Sequence, residues 1–282
     1  MRCKFLTILN KNKKENMKDI QNLKDTRNVD IQKVGIKHID VPLIIQRKNS
    51  SNQVVCAKAR VSVSLPRDYK GTHMSRFVEV LNEWQHKNLL GVDIKGCLEK
   101  IIQNLDAESG ELQFKFKYFL EKKSPVTKLS AQMAYDCTFE GRIDNDNYKF
   151  ILGVQVPVTT LCPCSKEISD NGAHNQRAFI TVKVSYDEDK HIWLEDLITM
   201  IESCASCPVY PLLKREDEKF VTEKAWDNPK FVEDVLRDVV VKLREHPVVN
   251  EFEVECEAFE SIHNHSAWAY QQEKKDIAKV AK

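Results

Sequence analysis

Glycine is scarce in this chain: 8 residues of 282. No G-x-x-x-x-G-K-[ST] run and no G-x-G-x-x-G run occurs, so a backbone phosphate cradle at a strand-to-helix turn is excluded. A phosphorylated ligand would have to be held by Lys and Arg side chains. Charge of one sign is also lacking. Lys and Arg number 43 against 42 Asp and Glu, a formal net charge of +1. That balance gives no global attraction to nucleic acid or to an anionic membrane. No stretch approaches the roughly 18 apolar residues of a membrane span. The apolar piece Phe5 to Leu9 is shorter than a signal core and has no small-residue cleavage site behind it. The expectation is a cytoplasmic protein with neither nucleic acid nor membrane as partner. The nine cysteines are odd in number and scattered, which argues against a disulfide framework and for reduced thiols.

What is present is a soluble composition, with 42% hydrophobic and 30% charged residues. Residues 1–27 are polar and rich in Lys and Asn, and are expected to be a mobile extension. Val55 to Leu65 alternates apolar and polar residues and predicts a strand. His73 to Trp84 and Val92 to Leu105 carry apolar residues at helical spacing. Leu112 to Leu120, Ala131 to Phe139 and Phe150 to Val158 read as strands. The order then recurs. Ala178 to Tyr186 predicts a strand and Leu194 to Cys204 a helix. Pro208 to Asp227 reads as a long loop. A further helix, with Asn228 as N-cap and Pro229 at its first position, runs on to Leu243. Glu251 to Glu260 predicts the last strand. Strands grouped apart from helices argue for an α+β fold with antiparallel sheets and helices on one face. Two tandem modules are expected, at 28–155 and 156–282.

The chemistry concentrates in Leu161 to Arg177, LCPCSKEISDNGAHNQR. Cys162 and Cys164 flank one proline, and His174 follows Cys162 by twelve residues. Thiolate and imidazole are ligands for Zn²⁺ and similar borderline metals. One Cys-Pro-Cys cannot close a structural zinc site, whereas an open coordination position is what hydrolysis requires. Free thiols in a loop are the plain alternative. Cys204 and Cys207 form a C-x-x-C that could complete a four-cysteine site, but Cys204 continues the apolar stripe of its helix. Glu260 falls in the apolar phase of the last strand. It either faces inward and binds a polar ligand, or lies past the strand end in water. His263 and His265 follow, suited to proton transfer or ligation, or simply loop histidines. The run LKREDEKFVTE from Leu213 combines Lys214, Arg215, Asp217 and Glu218, and Glu233 sits in the first turn of its helix, where a negative charge suits the dipole.

Taken together, DTRNVDIQKVGIKHIDVPL from Asp25, KGTHMSRF from Lys70, PVTTLCPCSKEISDNGAHNQR from Pro157, PLLKREDEKFVTEKAWDNPKFVED from Pro211 and SIHNHSAW from Ser261 resemble type B GTP cyclohydrolase I. The likeness covers about residues 25 to 272. It implies a tunnelling fold (T-fold) with two tandem ββααββ modules, and a homotetramer with active sites at subunit interfaces. It implies conversion of GTP and water to 7,8-dihydroneopterin triphosphate and formate, the first step towards folate, with one divalent metal per site: Zn²⁺, Mn²⁺ or Fe²⁺. Carried over, Cys162, His174, Glu218 and His263 are the metal ligands. Cys162, His174 and His263 are the catalytic residues, and Glu233 and Glu260 bind the substrate, Glu233 at the guanine edge. Arg177, Lys214 and Arg215 are candidates for the triphosphate. Cys204 stands where the family pattern suggests serine, and Glu216 where it suggests proline. Two other readings stay open on sequence. One is a nitrile reductase of the same fold, acting on a deazaguanine. The other is a binding module stabilised by a metal on Cys162, Cys164, Cys204 and Cys207.

Overall fold

The computed structural model describes residues 19–275 except 22, 50, 86, 90 and 146. Among the described residues ten strands form one sheet in the order β10-β9-β7-β6-β5-β4-β2-β1-β3, with β8 paired to β6. In chain order the strands are β1 (Ile31–Ile45), β2 (Gln53–Leu65), β3 (Asn88–Leu89), β4 (Ser109–Lys123), β5 (Ser130–Asp144), β6 (Asn147–Leu161), β7 (Asn175–Ser185), β8 (Cys207–Pro208), β9 (Glu251–Ala258) and β10 (Ala267–Lys274). The helices are α1 (Met74–Trp84), α2 (Gly91–Leu105), α3 (Pro163–Ile168), α4 (Leu194–Glu202), α5 (Arg215–Asp227) and α6 (Val232–Glu245). All strand pairs are antiparallel except β1 with β3.

Period-two alternation decides which face is dry. On β6 the residues Phe150, Leu152, Val154, Val156 and Val158 are buried, and on β7 Ala178, Ile180, Val182 and Val184 are buried. They join one core with Phe77 and Leu81 of α1, Leu98 and Ile101 of α2, Leu197 and Ile201 of α4, and Val235 and Val239 of α6. Each such Val, Leu, Ile or Phe side chain contributes roughly 1.5–3 kcal/mol on leaving water. The opposite face is polar. Its strands are laced by oppositely charged residues set directly across from each other, including Lys117–Asp136 at 2.6 Å, Lys183–Glu253 at 2.8 Å and Asp40–Lys58 at 3.0 Å. Such pairs fix register more than they add stability.

The structure departs from the sequence expectation in four places. The long loop expected at 208–227 contains α5. That helix buries only Asp217 and Ala225, so it has no apolar stripe to read. The following helix starts later than Asn228: its N-cap is Phe231, and Asp234 accepts the Phe231 amide at 3.1 Å. Asn228 instead donates from Nδ2 to the carbonyls of Ala205, at 2.9 Å, and Ser206, at 3.3 Å. The last expected strand stops at Ala258, and an eleventh-hour partner, β10, follows it as the sheet edge. Finally, β1 begins the ordered sheet well before Val55, with its first ten residues mostly unburied. Residues 1–18 of the expected mobile extension lie outside the described residues. Nearer the sheet, the Lys70 amide donates to the Leu23 carbonyl at 3.0 Å and the Asp25 amide to that of Asp68 at 3.2 Å. Residue 155, the expected end of the first module, lies within β6.

Gly35 shows how tightly β1 crosses β2. A β-carbon there would sit 2.0 Å from the Val61 carbonyl oxygen and 2.6 Å from Ser62 Cα, both backbone atoms that cannot swing aside. Gly35→Ala is therefore expected to lower stability by about 1–3 kcal/mol, the usual cost of overpacking, seen as a lower urea midpoint. An unchanged midpoint would contradict this close approach.

Candidate active site

The cysteine loop grows out of the end of β6. Leu161 is the last residue of β6 and pairs with Asn175, the first of β7. The ladder continues one step further, with the Cys162 amide donating to the His174 carbonyl at 3.1 Å. Cys162 then becomes the N-cap of α3, with Pro163 at the first helical position, where a missing N–H costs nothing. The Ser165 amide donates to Cys162 Sγ at 3.4 Å. The Ser165 hydroxyl accepts the His174 amide at 3.0 Å, closing the loop on itself. The return to β7 passes through Gly172 at φ +87° with nothing near the place of its β-carbon, a conformation other residues rarely adopt.

His174 is mostly buried. Its Nδ1 lies 3.0 Å from Gln176 Oε1 and 3.8 Å from Glu260 Oε2. Gln176 Nε2 donates to Thr160 Oγ1 at 2.9 Å. Glu260 does lie past the end of β9, yet it is not in water: its side chain is 13% exposed and faces His174. The Phe259 amide, donating to the Arg177 carbonyl at 2.9 Å, holds it there. Glu233 opens α6 on its exposed side. Its charge reaches β9, where burial first and Glu233 second push the Cys256 thiol up to about 12. Glu218 is exposed in the first turn of α5, and His263 is exposed in the turn after β9, stacked on His265 with ring centroids 5.0 Å apart. Arg177, Lys214 and Arg215 are exposed as well.

A second set of contacts, on residues the sequence reading gave no role at the site, ties the surrounding segments down. Asp217 is completely buried and accepts hydrogen bonds from the amides of Val126 (2.8 Å), Thr127 (2.9 Å) and Lys214 (3.0 Å) and from the Thr127 hydroxyl (2.6 Å). Burial alone would raise its pKa, but these bonds outweigh burial and hold the carboxyl well below the usual range. The Lys230 amide donates to the Leu161 carbonyl at 3.0 Å, and the Leu161 amide to the buried Ser206 hydroxyl at 3.2 Å. Lys166 donates to the Trp226 carbonyl and lies over its ring. One signal for Gln176 was available in the sequence: on a strand, the residue two after His174 shares its face. Asp217 had a weaker one, an acid three residues after the residue that opens a helix.

A metal is implied by the resemblance, and the donor types fit one. Thiol, imidazole and carboxylate are the donors of Cys162, His174 and Glu260, of which the His174 ring and the Glu260 carboxylate stand 3.8 Å apart. The donor count is lower than expected. Among the described residues no three His, Cys, Asp or Glu side chains gather closely enough to hold an ion, so Glu218 and His263 do not join Cys162 and His174 within one chain. The four-cysteine site fares worse. Cys204 and Cys207 are buried, and among the described residues neither joins Cys162 and Cys164 in a group of three or more ligands. Cys204 donates to the Met200 carbonyl at 3.3 Å, as the serine of the family pattern could.

A family model described as type I GTP cyclohydrolase folE2 matches residues 17–269. The chain belongs to this GTP cyclohydrolase family. Among the family's curated members, the protein named GTP cyclohydrolase FolE2 from Citrifermentans bemidjiense is 50% identical over 257 residues, spanning 91% of this chain and 95% of its own. That of Syntrophotalea carbinolica is 51% identical over 253 residues (90% and 94%), and that of Thermosipho africanus 49% over 253 residues (90% and 96%). Solved uricases share the fold. One from Arthrobacter globiformis aligns with TM-score 0.50 at 7% identity over 87% of this chain and 94% of its own. One from Bacillus fastidious aligns with TM-score 0.52 at 10% identity over 86% and 93%. At such identities the likeness concerns fold alone: an α+β, T-fold-like antiparallel sheet.

Proposed function

We propose that the chain is a metal-dependent GTP cyclohydrolase that converts GTP and water to 7,8-dihydroneopterin triphosphate and formate at the head of folate and pterin synthesis. The observation that carries this reading is the pairing of Cys162 with His174 across the ends of β6 and β7, with the Glu260 carboxylate 3.8 Å from the His174 ring, in a chain whose family match covers all three. A divalent cation, Zn²⁺, Mn²⁺ or Fe²⁺, would be held by Cys162 and His174, with Glu218 and His263 as the further ligands. When bound, it supplies Lewis acidity that makes water nucleophilic at neutral pH.

The chain's own residues then do the rest. Attack at C8 of the purine opens the imidazole ring and a second hydration releases formate. Water is lost when the rearranged ribose closes on the pyrimidine amine, so the net uptake is one water. His174 or His263 moves protons to the ring nitrogens as the C–N bonds break. The Glu233 carboxylate accepts from guanine N1–H and the 2-amino group, a paired geometry that adenine cannot meet. Glu260 holds the adjoining edge of the substrate. Arg177, Lys214 and Arg215 balance the triphosphate, as a chain with so few glycines requires.

A homotetramer with interfacial sites accounts for the exposure of Glu218, Glu233 and His263 in the single chain, since a second copy would cover them. Two tandem ββααββ modules describe the element order, with β1, β2, α1, α2, β4 and β5 in one and β6, β7, α4, α6, β9 and β10 in the other. Among the described residues no helix is long and apolar enough to cross a membrane, in keeping with a cytoplasmic enzyme.

An anaerobic assay tests the function. With Mn²⁺, Zn²⁺ or Fe²⁺ added in turn, at least one should yield formate and a fluorescent oxidised pterin in equal amounts from GTP. No formate with any of them would overturn the reading. Glu233→Ala should raise KM for GTP by about tenfold to a hundredfold, the loss of a charged hydrogen bond of about 1.5–3 kcal/mol. An unchanged KM would remove Glu233 from the guanine edge.

A further inference from the structure

We infer that Gln176 is a positioning residue that fixes His174 as its Nδ1–H tautomer and so presents the bare Nε2 to the site, an inference resting on the reading that His174 serves this site. A neutral imidazole has one donor and one acceptor nitrogen, and its neighbours decide which is which. Here the neighbours of Nδ1 are Gln176 Oε1 at 3.0 Å and the Glu260 carboxylate at 3.8 Å. Both are acceptors, so Nδ1 carries the proton.

The amide of Gln176 could in principle be turned around, since such assignments follow from the hydrogen-bond network. Its far end gives no preference: the Thr160 hydroxyl at 2.9 Å can accept from an amide NH₂ or donate to an amide oxygen. Glu260 breaks the tie. With the amide turned, NH₂ would point at a bare Nδ1, and that lone pair would also face a carboxylate only 3.8 Å away. The arrangement with Nδ1–H has no such opposition. It is also rigidly placed. Thr160 is buried and stands directly across the β6–β7 ladder from Gln176. The backbone of His174 is held on both sides, by the Ser165 hydroxyl at its amide and the Cys162 amide at its carbonyl. A neutral imidazole in water favours Nε2–H, so the relay Thr160–Gln176–His174 works against the intrinsic preference. It keeps free the nitrogen that a metal or a substrate proton needs.

The test uses the full-length chain, metal-free and labelled with ¹⁵N-histidine, at a pH above the imidazole titration. Long-range ¹H–¹⁵N correlation reads the two ring nitrogens of His174, assigned by loss of the signal in His174→Asn. The native chain should show Nδ1 protonated and Nε2 bare. Gln176→Leu should shift the ring towards Nε2–H, weaken Mn²⁺ binding by about ten- to a hundredfold, and lower kcat for GTP with little change in KM. Gln176→Glu, which still accepts from Nδ1–H and from the Thr160 hydroxyl, should restore the tautomer. Glu260→Gln removes the carboxylate that breaks the tie and should move part of the ring population to Nε2–H, a second reading of the spectrum if the leucine variant does not fold. An Nε2–H tautomer in the native chain, or an unchanged tautomer and Mn²⁺ affinity in Gln176→Leu, overturns the inference. Neither reading needs GTP. A native Nδ1–H tautomer in a chain that releases no formate would therefore sink the functional reading alone. Formate release from a chain with Nε2–H would sink this inference alone.

Discussion

The hydrogen-bonded register of β6 against β7 sets Thr160 opposite Gln176 and Leu161 opposite Asn175, and one further bond carries the same pairing to Cys162 and His174. Residues twelve apart in sequence become neighbours because a strand, a short helix and a glycine turn bring the chain straight back. A slip of one residue would take Gln176 away from Thr160 and His174 away from Cys162. What prevents the slip is the core beneath: Val154, Val156 and Val158 on one strand and Ala178, Ile180 and Val182 on the other, all on the dry face. The geometry of the site is thus a consequence of apolar burial some distance from it.

The second constraint is the fastening of the loops that surround the cysteine. Asp217 ties α5 to the tip of the β4–β5 hairpin, while Lys230 and Ser206 grip the two sides of the Leu161 peptide. These contacts connect the residue before Cys162 to the segment just before Glu233, and the first turn of α5, with Glu218, to the hairpin. A buried carboxylate is tolerable only when its oxygens are satisfied, and four donors satisfy Asp217.

Much of this was legible in the sequence. Strict alternation in Val55–Leu65 and Ala178–Tyr186 and helical spacing in Leu194–Cys204 marked elements close to those observed. The Cys-Pro-Cys and the phase of Glu260 both pointed at the site. The elements that escaped had no apolar pattern to offer. α5 buries two residues and is held by a polar contact to a distant hairpin, and β10 is an edge strand whose Ala, Gln and exposed aromatic residues bury no continuous side. Asn228-Pro229 imitated a helix start, but the Asn228 side chain was claimed by the carbonyls of Ala205 and Ser206, between α4 and β8. Glu218, Glu233 and His263 could be named from a motif, while their exposure depends on three-dimensional context that no local pattern encodes.

The central claim is that the thiol at the end of β6 holds the metal on which formate release depends. Metal content and formate yield from GTP, measured side by side on the native chain and on Cys162→Ala at equal thermal stability, test it most directly. The account predicts that the variant loses both the bound divalent metal and detectable formate. A Cys162→Ala chain that kept its metal and released formate at the native rate would contradict it.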